Sequence, residues 1–145
     1  MKQMQRINVT GLFVEDHKRI ASLLNDFKKH KHDGSKKTKE LFKELNRALI
    51  IHFHQEELLY SQYKYKTGDI LPILQTIRGE HTDILEHMNK IQQSLKQNSN
   101  KIDIAGLYGI LERHKNMEER LLYPELDSVL SSKEKEEVYW KIKVK

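Results

Sequence analysis

Two stretches of this chain place a histidine four residues ahead of a glutamate: His52-Phe53-His54-Gln55-Glu56 and His114-Lys115-Asn116-Met117-Glu118. A helix turns about 100° per residue, so the imidazole and carboxylate of each pair stand one turn apart on the same face. Each pair can therefore close on one metal centre, offering it a nitrogen and an oxygen donor. Both stretches continue with a second glutamate, Glu57 or Glu119, and soon reach Leu-Leu-Tyr, at Leu58 to Tyr60 and Leu121 to Tyr123. The shared tail points to two helices of related design.

The elements that must position these pairs can be read from apolar spacing. Met1 to Thr10 is polar and read as a flexible start. Phe13, His17, Ile20, Leu24 and Phe27 then recur at spacings of four, three, four and three, which predicts an amphipathic helix over about residues 12 to 30. Asp33-Gly34-Ser35 supplies a turn and a candidate cap. Leu41, Leu45, Leu49, His52, Glu56, Leu59 and Tyr63 form the second stripe, with His52 and Glu56 where the pattern otherwise demands leucine. Thr67-Gly68-Asp69 ends that helix and opens a third, whose stripe is Ile70, Leu74, Ile77, His81, Ile84, Met88, Ile91 and Leu95, with Pro72 in its first turn. The polar run Gln97 to Asn100 reads as a loop. Asp103 is a candidate cap for a fourth helix with the stripe Leu107, Leu111, His114, Glu118 and Leu121. Pro124 should kink or end it. Ser131 and Glu134 have capping-box spacing before a short terminal helix carrying Val138, Tyr139, Trp140 and Ile142, expected to pack across one end of the bundle. The expected fold is all-α: an antiparallel up-and-down four-helix bundle with a short C-terminal helix, forming one domain over residues 1–145.

Composition narrows the chemistry. Cysteine is absent, which excludes disulfides, thiolate catalysis and thiolate metal sites, so any metal must be held by nitrogen and oxygen. No stretch approaches the roughly 18 uninterrupted apolar residues of a membrane span, and no apolar leader opens the chain, so the expectation is a soluble cytoplasmic protein. The formal charge of +5 is concentrated between Lys28 and Lys39, read as a solvated interhelical loop rather than an anion-binding patch. No aromatic residue is interleaved there to stack bases, and nucleic acid is not an expected partner.

A single histidine on an apolar face is usually a core residue with one hydrogen bond. Here each long helix carries one, at His17, His52, His81 and His114, and Glu56 and Glu118 share the seams. A buried carboxylate is costly unless it is paired or binds a metal, and no lysine or arginine occupies the seams near their middle. The pattern therefore predicts a metal site of nitrogen and oxygen donors. His54 and His87 leave the seam and are read as surface or packing residues, and His30 and His32 belong to the basic loop. Asp16 and Glu80 each precede a seam histidine and are read as solvated, with orientation of that histidine as the alternative. Tyr63 is read as core packing.

These ordered motifs resemble those of the hemerythrin-like (HHE cation-binding) domains. The resemblance runs from Asp16-His17 through His52-x-x-x-Glu56 and Glu80-His81 to His114-x-x-x-Glu118 with Leu121-Leu122-Tyr123-Pro124. It implies a four-helix bundle holding two non-haem iron ions joined by an oxo or hydroxo bridge (Fe-O-Fe or hydroxo-bridged), with manganese or zinc as other occupants. His17, His52, His81 and His114 would be terminal ligands, and Glu56 and Glu118 bridging ones. Oxygen-carrying hemerythrins place a second histidine one turn after the helix-3 ligand, where this chain has Leu85, and an aspartate where it has Glu119. The pattern is closer to the four-histidine, two-glutamate sites of iron–sulfur cluster repair proteins, although their cysteine-bearing N-terminal segment is missing here.

The resemblance implies a protein that binds or reacts with O2, NO or peroxide, in oxidative or nitrosative stress defence or in iron–sulfur cluster repair. A second reading is a metal or oxygen sensing or storage module that signals through a protein partner without turnover. A third is a structural bundle with an opportunistic zinc ion, or a basic interaction module; six donors shared between two centres suit iron or manganese better than one tetrahedral zinc.

Overall fold

The computed structural model describes residues 7–31, 36–63, 71–97 and 102–143. Helix α1 spans Val9–His30, α2 Lys36–Tyr63, α3 Leu71–Lys96 and α4 Ile104–Met117. A π-helical turn, Glu118–Leu122, carries α4 into α5, Tyr123–Val129, and the last helix, α6, is Ser132–Lys143. The described residues contain helices and no strand, as the apolar spacing predicts. The turns read at Asp33-Gly34-Ser35 and Thr67-Gly68-Asp69, most of the Gln97 to Asn100 loop, and the side chain of Tyr63 lie outside the described residues.

Helix ends match their caps. Asp103 accepts a hydrogen bond from Gly106 N at 2.9 Å and starts α4. Ser131 and Glu134 form the predicted reciprocal box, Ser131 N donating to Glu134 Oε1 at 2.8 Å and Glu134 N to Ser131 Oγ at 3.1 Å. Helix α1 starts at Val9, earlier than apolar spacing indicates. Asn8 caps it through Gly11 N, and the Asp127 carboxylate accepts from Val9 N at 2.6 Å and Thr10 N at 3.1 Å. A carboxylate at a helix N-terminus satisfies orphan donors and complements the dipole, and this one comes from the far end of the chain.

The predicted break at Pro124 takes another form. The ladder widens, Tyr123 N–H bonding to Glu118 O five residues back, and α-helix resumes with Pro124 in the first turn of α5. A missing N–H is tolerated in a first turn. The added residue rotates the helix beyond it, so Leu121 is 50% exposed while Leu122 and Tyr123 are fully buried. Leu121 therefore leaves the fourth stripe, and Leu122 takes its place.

Helix α1 packs on α2, α2 on α3, α3 on α4, and α5 and α6 lie against α1. Val138 anchors α6, whereas Trp140 is half exposed rather than packed. The buried apolar residues form two clusters. One contains Ile20, Leu24, Phe27, Leu45, Phe53, Ile84, Met88 and Leu107; the other contains Phe13, Leu59, Tyr60, Ile77, Leu122, Tyr123 and Leu126. Each fully buried leucine or phenylalanine contributes about 1.5–3 kcal/mol. No helix among the described residues is long and apolar enough to cross a membrane.

Candidate metal centre

Between the two apolar clusters, every long helix contributes a polar side chain where the stripe otherwise continues with aliphatic ones. On α1, His17 lies between Phe13 and Ile20; on α3, His81 lies between Ile77 and Ile84. Helix α2 supplies His52 and Glu56, and α4 with its π turn supplies His114 and Glu118. None of the six side chains is more than 7% exposed, and the two glutamates are fully enclosed.

These residues converge as two overlapping donor groups, His17, His52, Glu56 and Glu118, and Glu56, His81, His114 and Glu118. Within each group one donor atom per residue lies within 4.8 Å of all the others. The imidazoles face inward through Nε2. His17 Nε2 is 3.1 Å from Glu118 Oε1, His52 Nε2 3.2 Å from Glu56 Oε2, His81 Nε2 3.0 Å from Glu56 Oε1 and His114 Nε2 3.2 Å from Glu118 Oε2. Both glutamates thus touch histidines of both groups. Close approach is not the same as a hydrogen bond here. Nε2 of His52, His81 and His114 and Oε1 of Glu56 are buried without a hydrogen-bond partner, and such atoms cost about 1–3 kcal/mol each unless something else satisfies them.

Electrostatics shows what the residues do for one another without a metal. Burial pulls the His52 pKa down, but the Glu56 charge and the hydrogen bond to Asp16 raise it to about 10. Burial likewise disfavours charged His81, yet the close carboxylates of Glu118 and Glu56 raise it to about 9. His114 is raised against its burial chiefly by Glu118. Burial acts to raise Glu118, but the close imidazoles of His114, His17 and His81 hold it well below the usual carboxylate range. In the metal-free centre His52, His81 and His114 are shifted toward their protonated form and Glu118 toward its charged form, a neutralisation that a dication would make in their place.

Around this centre runs a second set of carboxylates, each beside a residue of the donor groups in sequence and serving a histidine on another helix. Asp16 of α1 accepts from His52 Nδ1 at 3.2 Å, and Glu80 of α3 from His114 Nδ1 at 2.8 Å. Glu119 accepts from His17 Nδ1 at 2.6 Å, and Glu57 Oε2 lies 3.5 Å from His81 Nδ1, an ion-pair rather than hydrogen-bond distance. The pairing runs around the bundle, α1 to α2, α2 to α3, α3 to α4, and the π turn back to α1. A carboxylate on Nδ1 fixes the ring, leaves Nε2 as the inward donor and raises its basicity. Glu80 is thus buried and Asp16 half-buried rather than freely solvated, and each orients a histidine across the helix contact rather than the adjacent one.

A profile of the hemerythrin HHE cation-binding domain matches residues 8–126. The chain belongs to that family. No curated protein and no solved structure matches it. All six sequence-predicted residues of this hemerythrin domain meet at one locus, while His54 is exposed and His87 half-buried away from it.

Two tyrosines were not marked as site residues by spacing. Tyr60 OH donates to Glu118 Oε2 at 3.1 Å; Tyr123 OH donates to Glu118 Oε1 at 3.0 Å and reaches Glu56 Oε2 as well. Burial, then the charges of Glu56 and Glu118, raises both phenols well above their ordinary range, so they remain neutral donors. The signal lay in the repeated tail. Tyr60 comes four residues after Glu56 and Tyr123 five after Glu118, the extra residue being Arg120. The π turn absorbs that insertion and brings the second tyrosine back beneath its glutamate.

Proposed function

We propose that this hemerythrin domain holds two non-haem iron ions, His17 and His52 serving one, His81 and His114 the other, with Glu56 and Glu118 bridging both. The observation that carries the reading is the sharing of the two buried glutamates between two donor groups. The unpartnered, inward Nε2 atoms and the all nitrogen-and-oxygen donor set fit such ions. The alternation of apolar and polar layers supports an antiparallel up-and-down arrangement of α1 to α4, in which each helix brings its mid-point to the same level.

The irons, when bound, would supply a reversible change of oxidation state and open positions for a small ligand. The chain supplies the rest. A pocket of about 80 Å³ lies between α1, α2 and α4, walled by Ile20, Leu24, Leu49 and Leu111, with His17, His52 and His114 at its inner end. Its size and apolar walls support a ligand such as O2, NO or peroxide and exclude bulk water. Tyr60 and Tyr123 hold the shared carboxylates by neutral hydrogen bonds, and the outer carboxylates hold the rings. On this reading the domain acts in oxidative or nitrosative stress defence or iron–sulfur cluster repair, as the four-histidine, two-glutamate pattern implies.

The test is metal content per chain and the visible spectrum of anaerobically purified protein before and after air, beside a His52→Ala, His114→Ala double variant. Two irons per chain, with a charge-transfer absorption that the double variant loses, support the assignment. One zinc or no metal, with an unaltered double variant, overturns it.

A further inference from the structure

Six buried donors raise the question of how an ion reaches them. Among the described residues, a pocket and a groove each reach residues of the centre from the surface, and they differ in chemistry. The pocket between α1, α2 and α4 is walled mainly by aliphatic side chains, with Asn25, Glu112 and Lys115 beside them and three histidines of the centre only at its inner end, so a hydrated dication would meet few donors along its walls. The groove between α2 and α3 is lined by His54, Glu57, Arg78 and Thr82 together with Ile50 and Leu85, with His81 at its floor. Phe53 lines both openings and stacks on His81, ring centroids 4.1 Å apart, so it divides one from the other.

We propose that the α2/α3 groove is the port through which a divalent cation enters and leaves the centre. Glu57 and His54 are its transient donors, and Arg78 is the cation that closes it in the metal-free chain. The inference rests on the metal-centre reading above. His81, 5% exposed, is the member of the donor groups that the groove reaches, and neither of its ring nitrogens makes a hydrogen bond. Glu57 stands at the half-exposed rim, 3.5 Å from His81 Nδ1, so one carboxylate faces both solvent and the centre. His54 offers a further nitrogen donor from the exposed side. A cation can therefore trade waters for nitrogen and oxygen donors in steps along the groove. Arg78 Nη2 lies 2.8 Å from Glu57 Oε1, and its Nε bonds both carboxylate oxygens, so it occupies the charge an incoming ion needs. The pair is solvent-exposed, which makes it weak enough to open.

The experiment uses the metal-free full chain and Co2+, whose visible absorption reports filling by stopped flow. Thr82→Trp, which plugs the groove, and His54→Leu, which removes a donor from it, are expected to slow uptake by about tenfold, the low end of what local charge and access contribute to on-rates. Arg78→Gln is expected to speed uptake and release to a chelator. Ala21→Phe, in the apolar pocket, should leave the rate unchanged, and all four variants should still take up two cobalt ions per chain. Should Thr82→Trp not fold, His54→Leu and Arg78→Gln, both at exposed positions, carry the test. Rates insensitive to the groove variants, or slowed by Ala21→Phe instead, overturn the port while leaving the centre in place. A chain that takes up no cobalt overturns the metal-centre reading beneath it.

Discussion

Stripping and refilling the centre should move the melting temperature of the domain by an amount set by its two donor groups. An ion at a free concentration 100-fold above its dissociation constant stabilises the folded state by about 2.7 kcal/mol per site, so two sites contribute about 5 kcal/mol. Unfolding entropy of about 2.1 cal/mol/K per residue gives 145 residues about 0.3 kcal/mol/K, and the melting temperature should rise by about 18 °C. The sharing pattern adds a finer test. Glu118 belongs to both groups, so Glu118→Ala should abolish nearly the whole increment, whereas His17 belongs to one, and His17→Ala should remove about half. Comparing loaded and stripped forms of the same variant cancels the cavity that each substitution leaves. The assay is scanning calorimetry on chelator-stripped and anaerobically Fe2+-loaded protein at fixed free metal. Coincident melts of the two forms of the unsubstituted chain would refute the reasoning, and equal increments in all three chains would refute the sharing.

Glu80→Ala should lower metal affinity by about 10–100-fold by freeing the His114 ring, read by competition with a chelator, with the fold retained. Metal-free stability should depend on pH in a definite direction. His52 and His81 bind protons more tightly when folded, at about 10 and about 9 against 6.5 unfolded, so their contribution is complete below pH 6.5 and lost as pH rises through 9 to 10. Glu118 is depressed below 4.5, so its contribution is present above pH 4.5 and lost as pH falls further; urea melts from pH 4 to 10 should peak between these limits. Deleting Arg120 should turn the π turn into α-helix with Tyr123 still beneath Glu118, but force Pro124 into a regular ladder at a cost of about 3 kcal/mol. Adding Pro124→Ala should recover most of that loss, and a deletion that melts equally with or without it would count against this account of the turn.

The all-helical class and the six side chains that converge were legible because they obey one local rule, the 3.6-residue period, with a polar residue able to bind metal where an aliphatic one is due. The features that were missed depend on distance or on a change of period. Asp127 caps α1 from more than a hundred residues away, and no window of sequence contains both. Asp16 and Glu80 read as solvated, with the adjacent histidine as the alternative partner, because the partner each has stands on another helix. Leu121 was assigned to the stripe, and Tyr123 left out of the site, because a single period was carried across a turn that has another.

The polar layer also divides the interior mechanically. Apolar contact between the two clusters is interrupted at the level where His17, His52, His81 and His114 face Glu56 and Glu118. Without a metal, the halves above and below are joined by pairs such as His52–Glu56 and His114–Glu118 and by continuous backbone, and each half is expected to open separately. Two ions, held between them by residues from all four long helices, would tie both halves at their common boundary. Hydrogen exchange in the stripped chain should then resolve two blocks of amides with separate opening free energies, and loading should merge them into one cooperative unit.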